Sequence, residues 1–114
     1  MIDRVHIPPI LPTDLVDGCR IVAMSDVGRV REENQDFMGH AIRGSEQLLV
    51  VADGMGGHSG GFEASRIAVE SLLEYFEETE EGTAPGEVLR TGIEQANARV
   101  RMAASENPML HGMG

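Results

Sequence analysis

The sequence predicts an α+β fold in which strands come first and two antiparallel helices follow. Three observations carry that expectation. Short apolar runs separated by turn residues fill the first half of the chain, and beyond residue 61 the apolar spacing changes to three- and four-residue steps. No internal repeat or β-α alternation interrupts the switch, so sheet and helices are expected in segregated layers.

Residues 1–18 read as a lead-in, with Pro8, Pro9 and Pro12 breaking any regular element and Asp17-Gly18 closing it with a turn. Residues 20–25 read as a strand. A polar stretch follows, with Gly28 near its start, and residues 36–43 form the next strand. It turns at Gly44-Ser45 into a third, residues 47–52, so the pair makes a hairpin. Ile67, Ala68, Leu72, Leu73 and Phe76 then mark one face of a helix over 62–78. The acidic cluster Glu77-Glu78-Thr79-Glu80-Glu81 ends it, because carboxylates are unfavourable at a helix C-terminus. A second helix over 85–104 has Pro85 in its first turn and Leu89, Ile93, Ala96 and Val100 on one face, and Pro108 marks its end.

A chain of 114 residues is the size of one modest domain. Nine basic against nineteen acidic residues give a formal charge of -10, which argues against a nucleic-acid or anionic-membrane surface and leaves divalent cations as partners. The basic residues are all arginine and form no stripe. Cys19 is the only cysteine, which excludes an intramolecular disulfide and fits a reducing compartment. No run reaches transmembrane length and the N-terminus lacks a signal-peptide pattern, so the cytoplasm is the expected location.

The chemistry concentrates at element boundaries. Asp53-Gly54-Met55-Gly56-Gly57-His58-Ser59-Gly60-Gly61 places a carboxylate and five glycines directly after an apolar strand. Glycines there let backbone approach a small charged ligand. Asp36 opens the second strand and Asp53 closes the third, so a hairpin brings both carboxylates to one sheet edge, where they can share a hard cation such as Mg²⁺ or Mn²⁺. The alternative is that Asp53-Gly54 is only a turn after a strand. Arg31, five residues before Asp36, faces the same ligand only if the chain bends between them. Its planar fork then suits phosphate, and the alternative is a solvated arginine paired with Glu32 or Glu33. His58 reads more readily as a loop-orienting residue than a catalytic one. The glycine segment is neither a P-loop, since no lysine is present, nor a dinucleotide fingerprint. The widely spread His6, His40 and His111 form no zinc pattern.

Taken together, Ser25-Asp26-Val27-Gly28-Arg29-Val30-Arg31-Glu32-Glu33-Asn34-Gln35-Asp36 and Leu49-Val50-Val51-Ala52-Asp53-Gly54-Met55-Gly56-Gly57-His58 closely resemble the first two motifs of the bacterial branch of the metal-dependent protein phosphatase 2C family. The resemblance runs from about Arg20 to the end of the chain and makes residues 19–114 the N-terminal part of such a domain. It implies the N-terminal half of a four-layer α-β-β-α sandwich. It also implies hydrolysis of phosphoserine and phosphothreonine by a water activated between two metal ions, Mn²⁺ or Mg²⁺. Asp53 would bridge the ions, the Gly54 carbonyl would ligate one, Asp36 would serve the other, and Arg31 would hold the substrate phosphate.

Two positions depart from the family pattern. Gln35 stands where some relatives carry glutamate, and Met55 stands where some eukaryotic relatives carry a histidine proposed as general acid, so that role is not carried over. Family domains run to roughly twice this length, with further metal-ligating aspartates beyond the point reached by residue 114. The expectation is therefore a truncated gene product or incomplete gene model, inactive alone, that needs the C-terminal half of the domain. Its implied partners are phosphorylated proteins, including a serine/threonine kinase and its targets. The alternative is a phosphatase-like, non-catalytic binding module completed by another chain.

Overall fold

The computed structural model describes residues 3–6, 10–12, 22–57 and 59–114. Among the described residues, five strands, β1 (Asp3–His6), β2 (Ile10–Pro12), β3 (Val22–Met24), β4 (Asp36–Arg43) and β5 (Glu46–Asp53), precede two helices, α1 (Gly60–Glu78) and α2 (Pro85–Glu106). A 3-10 turn, Pro108–Leu110, follows α2. This is the expected α+β order. Residues 20 and 21 of the expected first strand, Cys19, His58, and most of residues 7–21 lie outside the described residues.

The lead-in is not free of regular structure. β1 pairs antiparallel with β4 in the register Val5↔His40, and β2 pairs antiparallel with β3. Prolines permit this because Pro8 and Pro9 fall between β1 and β2 in sequence, while Pro12 ends a strand of a two-stranded pair, an edge position that tolerates a missing N–H. β4 is thus the central strand of a three-stranded sheet ordered β1-β4-β5, beside a separate β2-β3 pair.

Alternation in β4 and β5 sends Phe37, Gly39 and Ala41 with their register partners Ala52, Val50 and Leu48 to the face covered by α1. Phe37, Ala41 and Leu48 join Val69, Leu72, Leu73 and Phe76 of α1 and Val88 and Ala96 of α2 in one buried cluster. Gly39 permits the close approach: a Cβ there would stand 2.5 Å from Val69 Cγ1 and 2.8 Å from a Leu73 methyl. On the other face, Leu49 and Val51 are exposed, whereas His40 is 4% exposed with neither ring nitrogen hydrogen-bonded among the described residues.

The helices sit close to the expected bounds with three adjustments, one being that α2 runs to Glu106, two residues past its expected end. α1 begins two residues earlier than the apolar spacing suggests, and Gly60 and Gly61 are buried in its first turn. On α2 the buried positions are Val88, Gly92 and Ala96, while Leu89 and Ile93 are 44% and 55% exposed. The packed stripe is therefore rotated from the expected one, because Gly92 lets α2 settle onto Leu72 and Tyr75 of α1, where a Cβ would come within 2.8 Å of Leu72. Hydrophobicity alone favoured Leu89 and Ile93, but backbone approach decided the contact. Arg99 of α2 adds an ion pair with Glu74 of α1 at 2.5 Å.

α1 has no basic residue in its last turn. The missing cation comes from β4. Arg43 is mostly buried, donates from one guanidinium nitrogen to the carbonyls of Phe76 (2.7 Å) and Thr79 (2.6 Å), and lies 4.5 Å from the Phe76 ring centroid. It thereby satisfies orphan carbonyls at the negative end of the helix dipole and ties the hairpin to α1.

Candidate functional site

The hairpin register places Asp36 directly opposite Asp53 at the open end of β4–β5, away from the Gly44-Ser45 turn. Both carboxylates are exposed, and no ion pair to either is seen among the described residues. Opposed like charges on one rung cost roughly 0.2–1 kcal/mol, so this pair is not explained by sheet stability.

The preceding loop folds back over the pair. Gly28 takes φ +80°, and its N–H donates to Asp26 Oδ1 at 2.7 Å, forming a tight side-chain-to-backbone turn. Asn34 laces the two ends of the loop together, since its Nδ2 donates to Ser25 Oγ at 2.6 Å and its Oδ1 accepts the Asp36 N–H at 3.1 Å. The chain turns at 28–30 and bends at 32–33. As a result, Arg31 and Asp36 line the same polar cavity of about 260 Å³ despite their odd spacing, together with Asp26, Glu33, Gln35 and Asp53.

The glycine segment is fixed from several sides. Gly54 is buried and its N–H donates to the Gln35 carbonyl at 3.0 Å; a Cβ on Gly54 would overlap the Gly61 carbonyl, so no other residue fits without moving the start of α1. The Gln35 side chain donates from Nε2 to the Gly56 carbonyl at 3.0 Å and accepts from Arg31 at 3.3 Å. Met55 and Gly114 exchange backbone hydrogen bonds of 2.6 and 2.8 Å, and buried Met113 rests against Gly56 and Gly60.

Three of the four expected site residues, Arg31, Asp36 and Asp53, share this cavity. Gly54 does not line it. It borders a neighbouring, mainly apolar groove with Asp53, Ala64 and Ile93. Sequence reasoning passed over Asn34 as a loop staple and Gln35 as a contact between loop and glycine segment, although the Asn34-Gln35-Asp36 triplet marked the place. The donors fit a hard divalent cation in kind: carboxylate oxygens in a polar, open cavity. In number they are incomplete, since no three His, Cys, Asp or Glu side chains converge among the described residues.

An acidic pair on the last rung of a hairpin, sharing a cavity with an arginine and followed by a glycine turn into a helix, marks one edge of an α+β domain. The chain belongs to the protein phosphatase 2C family, whose model matches residues 28–110. It is 35% identical over 94 residues to the serine/threonine phosphatase stp of Listeria welshimeri, an alignment covering 79% of this chain and 37% of that protein. The stp protein of Listeria monocytogenes serovar 1/2a gives the same identity and coverage. The protein phosphatase PhpP of Streptococcus pneumoniae is 43% identical over 53 residues, 46% of this chain and 22% of PhpP. The chain thus spans 37% of the length of the Listeria relatives.

Proposed function

We propose that these residues form the N-terminal part of a metal-dependent phosphatase acting on phosphoserine and phosphothreonine in proteins. The observation that carries this reading is the register pair Asp36↔Asp53 sharing one polar cavity with Arg31. Asp53 and Asp36 would hold Mn²⁺ or Mg²⁺, two ions in the complete domain, with the Gly54 carbonyl as a further ligand. Bound ions would supply Lewis-acid polarisation of phosphoryl oxygens and a more acidic water. The chain's own contribution is to orient: Arg31 pairs two phosphate oxygens, and the Asn34 staple ties Ser25 to Asp36 and so holds closed the loop that carries Arg31.

Among the described residues, four carboxylates line the cavity without three converging, which supports weak metal binding and little turnover by the 114 residues alone. Completion by the C-terminal half of the domain is the corresponding partner. Phosphorylated proteins, among them a serine/threonine kinase and its targets, are the proposed substrates, and the cytoplasm is the proposed location. Among the described residues, no helix is long and apolar enough to cross a membrane.

The test is a phosphopeptide hydrolysis assay with Mn²⁺ on this chain and on a version extended to the length of its relatives. The extended protein should turn over and the short one should not; strong turnover by the short chain would refute the incomplete-site reading. A second reading, a non-catalytic module completed by a partner, draws on the exposed Leu49 and Val51 of the sheet face. It predicts an obligate oligomer by sedimentation and no hydrolysis at either length.

A further inference from the structure

We propose that Gln35 is a positioning residue: its neutral amide holds Arg31 in orientation without neutralising it, and couples that arginine to the glycine segment after Asp53. The inference rests on the phosphatase reading of the site. Four contacts converge on this residue. Its backbone carbonyl accepts the Gly54 N–H at 3.0 Å, its Nε2 donates to the Gly56 carbonyl at 3.0 Å, and its Oε1 accepts from an Arg31 guanidinium nitrogen at 3.3 Å. The fourth is steric: a Cβ on Gly61 would fall 2.6 Å from the amide carbon of Gln35, so the first turn of α1 closes over the side chain.

The amide's direction is dictated by its partners. A carbonyl only accepts and a guanidinium only donates, so Nε2 must face Gly56 and Oε1 must face Arg31. Glutamate of the same length would satisfy Arg31 alone. It would present a second acceptor to the Gly56 carbonyl, and its charge would pair with the guanidinium and compete with a phosphate for it. Glutamine instead uses one N–H of Arg31 and leaves the charge and the other donors free. Position 35 is thereby assigned to orienting the anion site rather than to ligating a cation.

Two variants of this chain, Gln35→Met and Gln35→Glu, separate the roles. The first measurement needs no ligand: amide hydrogen exchange by NMR. With the fold retained, Gln35→Met removes the tie to the Gly56 carbonyl but keeps the backbone bond to Gly54, so exchange should accelerate by about tenfold at Met55 and Gly60, whose N–H bonds flank Gly56, the equivalent of one lost hydrogen bond. Unchanged exchange there overturns the clasp. The second titrates inorganic phosphate against the Arg31 side-chain resonance, with affinity expected to fall from wild type to Gln35→Met and further to Gln35→Glu. A Gln35→Glu chain that binds phosphate as tightly as wild type overturns the proposal. So does one that binds Mn²⁺ several-fold more tightly, since position 35 would then face the cation. A wild-type chain that shows no phosphate response counts against the phosphatase reading itself, while the exchange result still decides whether Gln35 clasps the loop.

Discussion

Replacing Arg43 by methionine removes the cation that closes α1 while keeping much of the side chain's apolar bulk. Two charge-assisted hydrogen bonds, to Phe76 and Thr79 at 2.7 and 2.6 Å, are lost from a mostly buried position. Hydrogen bonds to charged groups contribute about 1.5–3 kcal/mol each. Taking the lower figure for each, because the helix end is partly solvated, gives about 3 kcal/mol. The Phe76 ring contact adds about 0.5–1 kcal/mol, while the Glu46 pair adds little. Arg43→Met should therefore destabilise by about 3–4 kcal/mol. At about 4 °C per kcal/mol for a domain of this size, Tm should fall by roughly 12–16 °C. Arg43→Lys, which can reach one carbonyl but not both, should lose about half as much. Urea unfolding followed by circular dichroism gives the free energy, and hydrogen exchange over residues 76–80 locates it. A loss below about 1 kcal/mol, or exchange unchanged at the end of α1, would refute the capping argument.

Other expectations follow from the same geometry. Asp53→Asn should relieve the charge opposition with Asp36 and raise the metal-free stability by about 0.5 kcal/mol. The same change should abolish any Tm increase on adding Mn²⁺; a retained Mn²⁺ shift would remove Asp53 from the ligand set. Gly54→Ala should lower Tm and displace the first turn of α1, because its Cβ would overlap the Gly61 carbonyl; a crystal structure with Gly60–Phe62 in place would contradict this. Gly39→Ala drives a methyl into Val69 and Leu73 and should cost about 1–3 kcal/mol in urea unfolding. His40→Leu should stabilise by about 1 kcal/mol or more, since it removes two buried nitrogens without hydrogen-bond partners among the described residues; a destabilised variant would reveal a partner for that ring.

Much of the hairpin and the acidic pair was legible because strand periodicity and turn residues are local signals. Asp36–Arg43 matches its expected bounds, and Glu46–Asp53 exceeds them by one residue at each end. The rotated face of α2 was not legible, since Gly92 matters through what it lets approach, and a pattern of apolar side chains cannot register the value of a missing one. The same blindness hid Gly39. β1 and β2 were missed because prolines were read as excluding strands, when they exclude only strand interiors. At the site, Arg31, Asp36 and Asp53 could be named from motif spacing, but their meeting depended on the bends after Gly28 and the Asn34 staple. Those are contacts between short side chains and backbone, and they leave no periodic trace. Gly54 was named from its neighbours in sequence, yet its burial and its place on the adjoining groove emerged only from packing.

The Gly44-Ser45 turn acts as a ruler for chemistry at the opposite end of the hairpin. Arg43 faces Glu46 across it, and from that first rung the pairing runs through seven further rungs to Asp36 and Asp53, a distance of roughly 24 Å. Sliding β5 by one residue would turn all its side chains over, driving Asp53 toward the helix layer and lifting Leu48 into water. The apolar core therefore polices the spacing of two carboxylates it never touches. A one-residue insertion or deletion at a remote turn, harmless in most surface loops, would here be read out as a lost site.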